Sequence, residues 1–211
     1  MIHIPGDELQ SADYRSLEAR WISRELADVA RIRRVDSDTG KFLVGRRDHS
    51  DYAGLAIPYF LPGESHVREW RLRRDHPDIE YKDGKPKERG KYLSAPGRKN
   101  LIYFVPGVSM DLAKAVATPV IVTEGEFKTL ALWRLANYES TTSRFLPIGL
   151  GGVWNWRGTV GKTHGPNGDR RDVKGAIPDL DLVVWEGRRV FIAFDADAEK
   201  NEMVEAARGL R

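Results

Sequence analysis

Residues 119–138 read PVIVTEGEFKTLALWRLANY. The first part, PVIVTEG (119–125), is a compact β-branched run that ends in an acidic residue and a glycine, the pattern of a buried strand stopped by a turn. The second, EFKTLALWRLANY (126–138), spaces its apolar residues as an amphipathic helix. Two further apolar runs follow: RFLPIGLGG (144–152) ends in glycines, and RRVFIAFDAD (188–197) ends in two aspartates. The stretch EKNEMVEAARGLR (199–211) reads as a closing helix. Strand, helix, strand, connection, strand, helix predicts a parallel sheet with crossover helices. Between the second and third strands, residues 153–175 are rich in glycine and charge and read as an inserted loop.

The region before residue 119 has another texture. Leu17, Trp21, Ile22, Leu26, Val29 and Ile32 recur at helical spacing, with Ser16 or Ser23 as candidate caps. VDSDTGKF (35–42) reads as a turn, and GLAIPYF (54–60) as a buried strand holding Pro58. HVREWRLRR (66–74) alternates Val67, Trp70 and Leu72 with arginines, as a half-exposed strand does. Asp75–Arg89 reads as a loop or loose hairpin, and KYLSAPG (91–97) and NLIYFVPG (100–107) as two short strands. The expected division is therefore 1–118, a small α+β part, and 119–211, the parallel-sheet part.

Composition narrows the function classes. The 211 residues are 41% hydrophobic and 31% charged, with no cysteine. That excludes a disulfide framework and any Cys-ligated zinc or iron–sulfur site in these residues. No apolar run reaches the ~18–20 residues that span a bilayer, so no membrane partner is expected. MIHIPGDELQ lacks a basic segment followed by an apolar one, so the default expectation is cytoplasmic. The formal net charge of +3 arises from 34 Lys+Arg against 31 Asp+Glu. All of it falls in residues 1–118, with 21 basic and 18 acidic side chains; residues 119–211 hold 13 of each. A solvated surface and a nucleic-acid footprint are both compatible with so mild an excess.

The carboxylates carry more. Glu124 closes one predicted strand, and Asp195 and Asp197 close another. In open α/β sheets, ligands bind at the carboxyl ends of strands. Spacing i, i+2 puts the two aspartates on one face where strand geometry persists. Carboxylates converging there repel one another unless a cation intervenes, and hard oxygen donors of this kind suit Mg²⁺ or Mn²⁺. Such a site suits phosphoryl transfer. Helix capping is the plain structural alternative for the two aspartates taken alone, and Glu124 followed by Gly125 is by itself a weaker signal still.

Taken together, IVTEGEFKTLALWRL (121–135), FLPIGLGG (145–152) and VFIAFDADAEKNEMVEAA (190–207) resemble the toprim domain shared by bacterial-type primases, topoisomerases, recombination-repair proteins and some nucleases. AIPYF (56–60), VREWRLRR (67–74), KYLSAPG (91–97) and NLIYFVPG (100–107) resemble the basic subdomain that precedes toprim in DnaG-type primases. From about residue 20 onward the chain is most similar to toprim-containing, primase-like proteins of phages, plasmids and integrated elements, whose pattern GLGGVWNW (149–156) shares. The expected fold is thus α/β, a toprim-like parallel sheet flanked by helices, preceded by a small basic α+β subdomain. A further strand usually follows the last helix in toprim domains, so the expectation is a toprim-like domain lacking its last strand.

The resemblance implies roles. Glu124 matches the toprim glutamate, a metal ligand or general base, and Asp195 and Asp197 match its metal-binding aspartates, so all three are the candidate catalytic residues. Lys91 matches the lysine beside Tyr92 that touches nucleic acid or nucleotide, and Arg71 and Arg73 fall in the basic ridge. Lys128, one helical turn after Glu124, is placed to meet a phosphate or to lie exposed on its helix; Glu126 is an outer ligand or a dipole-complementing residue. The implied function is primer synthesis: a primase-like nucleotidyltransferase core using Mg²⁺ or Mn²⁺, single-stranded DNA and nucleotides in mobile-element replication, with a replicative helicase as a further partner. A metal-dependent nuclease and a non-catalytic DNA-binding module are the alternatives.

Two other signals are set aside. Gly161-Lys162-Thr163 looks like the end of a phosphate-binding loop, but the glycine required five residues before Gly161 is Trp156. Trp154 and Trp156 are either base-stacking platforms or core anchors.

Overall fold

A computed structural model describes residues 5–195 of the chain. They form two compact units: the first runs to Phe60 and resumes over Ser65–Arg98, and the second comprises Leu61–Glu64 and the chain from Lys99 onward. The division falls at 98/99 rather than at the 118/119 expected from composition. The segment 99–118 goes with the second unit because its strand pairs there.

In the first unit the predicted N-terminal helix is two helices, α1 (Ser11–Glu18) and α2 (Arg24–Val29). The apolar stripe is broken at Trp21, whose φ is 62°, a left-handed conformation that a helix interior does not accept. Ser23 then caps α2 by accepting from Leu26 N–H at 3.3 Å. After β1 (Arg33–Val35) the expected turn is instead a helix, α3 (Ser37–Leu43), started by the Asp36 carboxylate accepting from Thr39 N–H at 2.8 Å. Strands β2 (Gly54–Tyr59) and β3 (Glu69–Arg74) lie antiparallel, and after the exposed hairpin β4 (Asp78–Lys82) and β5 (Lys85–Arg89), strand β6 (Tyr92–Leu93) completes the sheet in the order β1-β2-β3-β6. Leu72, Ala56, Val35, Val44 and Tyr52 pack into its core.

Alternation on β3 puts Leu72 inside and turns Arg71 and Arg73 to the other face, but Arg74 on the inner face is also buried. Its guanidinium donates to Asp51 O at 2.5 Å and to both Asp78 carboxylate oxygens at 2.9 and 3.1 Å, and lies 5.0 Å from the Tyr52 ring centroid. A buried arginine needs this many partners. Here they tie the β4–β5 hairpin to the core.

The second unit holds β7 (Ile102–Tyr103), α4 (Met110–Lys114), β8 (Val120–Glu124), α5 (Glu126–Asn137) and β9 (Leu146–Leu150). A ribbon of β10 (Arg157–His164) and β11 (Arg170–Ala176) replaces the expected inserted loop, and a 3-10 turn at Pro178–Leu182 leads to β12 (Val190–Ala193). The sheet order is β12-β8-β9-β7. Strands β12, β8 and β9 are parallel, as the sequence predicts, whereas β7 runs antiparallel to β9, so the sheet is mixed. The helix expected at 199–211 lies outside the described residues. Arg188, buried, donates to the carbonyls of Thr118 and Ala113 at 2.6 Å and of Leu112 at 3.1 Å, closing the end of α4 and the approach to β8. Among the described residues no helix is long and apolar enough to cross a membrane.

Helix α5 sits on β9 at a glycine. A Cβ on Gly149 would fall inside the contact distance of Thr129 Oγ1, and within 3.2 Å of Tyr103 Cβ and 3.3 Å of Gly125 O. Overpacking of this kind costs ~1–3 kcal/mol. Thermal denaturation of Gly149→Ala is expected to show a clearly lower Tm, part of which Thr129→Ala in the same chain restores. A Gly149→Ala protein as stable as the wild type would refute the contact.

Candidate catalytic site

The turn from β8 into α5 builds one side of the site. Gly125 has φ 81°, which L side chains rarely adopt, and its N–H donates to Leu150 O at 2.7 Å. The bond holds the turn against the end of β9, so Glu124 is the last residue of β8, in register with Leu150. Thr129, fully buried, donates its hydroxyl to Gly125 O at 2.8 Å and fixes the first turn of the helix from within. One turn along α5 from Glu124, Lys128 projects back toward the strand end.

Strand β12 builds the other side. It pairs with β8 from Val190↔Val120 to Ala193↔Thr123, and Thr123 Oγ1 donates to Ala193 O at 2.8 Å. Asp195 follows two residues later, at the same carboxyl edge as Glu124. The Lys128 ammonium lies 2.9 Å from Glu124 Oε1 and 2.6 Å from Asp195 Oδ2. Two carboxylates from neighbouring parallel strands thus converge on one cationic point. Glu124 is the more sheltered, with 25% of its side chain exposed against 57% for Asp195.

Charge in this cluster is mutually supported. Desolvation works against the Lys128 ammonium, but hydrogen bonds from its nitrogen to Asp195 and Glu124 outweigh it and hold its pKa above the ordinary lysine value. The Lys128 hydrogen bond is also the main reason that the Asp195 carboxyl is held below the ordinary aspartate range. Such a carboxylate contributes stability above its ordinary range, and the contribution is lost as pH falls through the lowered value.

Of the sequence-predicted residues, Glu124, Asp195 and Lys128 come together. Asp197 lies outside the described residues. Among the described residues no group of three or more His, Asp or Glu is gathered as a metal-ligand set. The donors that do converge are hard oxygens around a cation, which is the chemistry that Mg²⁺ or Mn²⁺ requires. Glu126 is buried at the start of α5 rather than in the site, on the side of buried Tyr103, whose hydroxyl is driven upward in pKa by burial and then by the Glu126 charge.

Of the predicted nucleic-acid residues, Lys128 lies at this site, whereas Arg71, Arg73 and Lys91 belong to the other unit. Arg73 faces Tyr92 across β3 and β6, and the Arg71 guanidinium lies 5.2 Å from the Tyr92 ring centroid. Lys91, next to Tyr92, donates to Glu88 at 2.7 Å. Gly161-Lys162-Thr163 lies within strand β10, and Lys162 pairs with Asp172 on β11, so it forms no phosphate-cradling loop. Trp156 helps to line a pocket of about 470 Å³ against Val122, Ile148 and Ile192 of the sheet. That placement is an anchoring one, and Arg157 lies over both Trp154 and Trp156, at 5.1 and 5.9 Å from their ring centroids.

Residues 111–210 match the profile of a family described as a domain of unknown function (DUF3854). A stretch of 91 residues, 43% of this chain, is 33% identical to an uncharacterized protein of Picosynechococcus sp. (strain ATCC 27264 / PCC 7002 / PR-6). The match covers 8% of that relative, so the chain spans a small part of the curated protein it resembles. No solved structure matches the chain.

If Lys128 holds Asp195 in its ionised form, removing the ammonium must release it. In Lys128→Met the Asp195 carboxyl, followed by side-chain ¹³C NMR, is expected to titrate at higher pH than in the wild type. An unchanged midpoint would assign the lowered value to another cause.

Proposed function

We propose that the chain carries a divalent-metal-dependent nucleotidyltransferase core of the primase type, acting on single-stranded DNA in the replication of mobile elements. The observation that carries this reading is the convergence of Glu124 Oε1 and Asp195 Oδ2 on one cationic point at the carboxyl edge of parallel strands β8 and β12. Metal-ion phosphoryl transfer uses such a point, and strand ends in α/β sheets are where ligands bind. The resemblance to toprim sequences supports the same choice.

In this reading Glu124, Asp195 and Asp197 hold Mg²⁺ or Mn²⁺. The bound ion would supply Lewis-acid stabilisation of charge on the phosphate oxygens. The chain's own residues position the rest. Glu124, held by the Gly125 turn, accepts the proton of the primer 3′-hydroxyl as that oxygen attacks the α-phosphate of a nucleotide and pyrophosphate departs. Lys128 exchanges a carboxylate partner for a phosphate oxygen, adding a positive charge where negative charge gathers. Arg71, Arg73 and Lys91 bind the template backbone, with Tyr92 between them as a surface on which a base can stack. A replicative helicase is a further partner on this reading.

A primer-synthesis assay on single-stranded templates with Mg²⁺ or Mn²⁺ tests the mechanism. Asp195→Ala/Asp197→Ala and, separately, Glu124→Ala are expected to lower product formation at least roughly a hundredfold. Synthesis that survives the double substitution ends the proposal. Degradation of labelled DNA with Mn²⁺ and no nucleotides, abolished by the same substitutions, would transfer the site to a nuclease.

Template binding has its own signature. Arg71→Ala/Arg73→Ala is expected to weaken binding to a single-stranded oligonucleotide and to make the log–log salt dependence shallower by about 0.7 per lost contact. An unchanged salt slope would remove both arginines from the interface.

A further inference from the structure

The β10–β11 ribbon is the largest feature that the proposed chemistry does not use. Seven residue pairs join its strands, from Arg157↔Ala176 to His164↔Arg170, with one irregularity between Thr159 and Gly161. Ile177 N–H donates to Trp156 O at 3.0 Å and Asn100 Nδ2 to Arg157 O at 2.8 Å, so the base is tied down. Beyond the base nearly every side chain is exposed or half-exposed. A solvated ribbon of this length contributes little to a hydrophobic core, and its conformation rests on its own ladder.

The pairing sorts its side chains by face. Lys162 lies opposite Asp172, Thr159 opposite Lys174, and His164 opposite Arg170. Side chains alternate along each strand, so one face carries Lys162, Arg170 and Lys174 around a single carboxylate. Asp172 meets both lysines: it pairs with Lys162 and lies 3.1 Å from Lys174 Nζ, while Lys174 also donates to Thr159 Oγ1 at 2.6 Å. The carboxyl is held far below its ordinary value, by Lys162 first, and so stays charged. The three cations are therefore gathered with a net positive balance over roughly 14 Å of ribbon. The opposite face carries Gly158 against Gly175, Gly161 against Val173, and Thr163 against Arg171, whose guanidinium pairs with Asp169. A two-stranded ribbon fits the major groove of a duplex, about 12 Å wide, where an α-helix or β-ribbon is admitted.

Chain connectivity places this arm at the working edge of the sheet. β9 ends at Leu150, in register with Glu124, and the chain passes directly from that edge into the ribbon. We infer that the β10–β11 ribbon is a duplex-binding arm, whose cationic face (Lys162, Arg170, Lys174) contacts the phosphates of a nucleic-acid duplex lying beside the carboxylate site. The inference rests on the nucleotidyl-transfer reading for its choice of nucleic acid as partner. In that reaction the duplex is the product: primer paired to template.

Fluorescence anisotropy with a labelled DNA duplex, in the absence of nucleotides and metal, separates this inference from the catalytic one. The full chain is expected to bind the duplex. Lys162→Gln/Arg170→Gln/Lys174→Gln weakens binding by about tenfold at low salt and makes the log–log salt slope shallower by about 2 to 3. Asp172→Asn, which removes the one carboxylate of that face, shifts binding in the opposite direction and tightens it. Circular dichroism of each variant confirms that the substitutions leave the fold intact, as exposed positions should. Asp195→Ala/Asp197→Ala does not weaken duplex binding, even if primer synthesis proves absent. Duplex affinity unchanged in the triple variant, no duplex binding by the wild type, or polyglutamate bound as tightly as DNA would each overturn the inference, the last in favour of an acidic protein partner.

Discussion

The hydrogen bond from Gly125 N–H to Leu150 O is the constraint on which the second unit's site depends. It requires a positive φ at residue 125, which glycine supplies without strain. It also requires β9 to come close to the start of α5, which Gly149 permits by leaving room for Thr129 and for the Gly125 carbonyl. With both glycines in place, the strand ends and the helix begins within one residue. Glu124 and Lys128 then stand on the same side of that junction, one helical turn apart. A side chain at Gly149 would collide with Thr129 of α5 and shift the helix that carries Lys128, whereas one at Gly125 would meet open space but strain the turn through its positive φ. The geometry of the charged site is thus decided by two residues that have no functional groups at all.

Buried polar groups do comparable work elsewhere. Arg188 satisfies three carbonyl oxygens around the end of α4, and the Asp179 carboxylate accepts from Ile102 N–H at 3.0 Å next to the short strand β7. Backbone groups at such chain ends have no partners in regular structure and would be costly to bury alone. In the first unit Arg74 plays the corresponding part, joining the Asp51 carbonyl, Asp78 and the Tyr52 ring. Each is a long cation spent on internal bonds, so the basic composition of the chain overstates what its surface offers to a partner.

The legible parts of the fold are those whose local signals agree with the tertiary result. PVIVTEGEFKTLALWRL shows a strand period, a glycine stop and a helix period in succession, and β8, the turn and α5 follow it. VDSDTGKF has turn composition, yet α3 forms there, started by the Asp36 cap and packed where Gly40 lies so close to the backbone of Tyr52 that only a glycine fits, a contact between residues twelve apart. The ribbon was not legible because its glycines and charges hide the alternation that marks a strand; backbone pairing rather than side-chain burial holds it. The 1–118 boundary follows composition, whereas 99–118 joins the second unit through the pairing of Ile102 and Tyr103 with β9. In the site, the Glu124–Lys128 spacing was readable as one helical turn. The contact of Lys128 with Asp195 was not, because it depends on β12 lying beside β8 rather than beyond β9.

On the proposed function, that strand order governs how a metal ion would enter the site. Lys128 offsets one of the two charges of Glu124 and Asp195 from within the chain, so their mutual repulsion is partly relieved without an added ion. A divalent cation entering between them must displace the ammonium, and its binding is weaker by whatever the two ion pairs contribute. The displaced ammonium keeps its charge next to the ion, and Glu124 and Asp195 by themselves no longer offset both. A group bearing several negative charges restores the balance, and a nucleotide triphosphate is such a group. Metal and nucleotide would therefore bind this site together more readily than either alone, with Lys128 moving from carboxylate to phosphate as they enter.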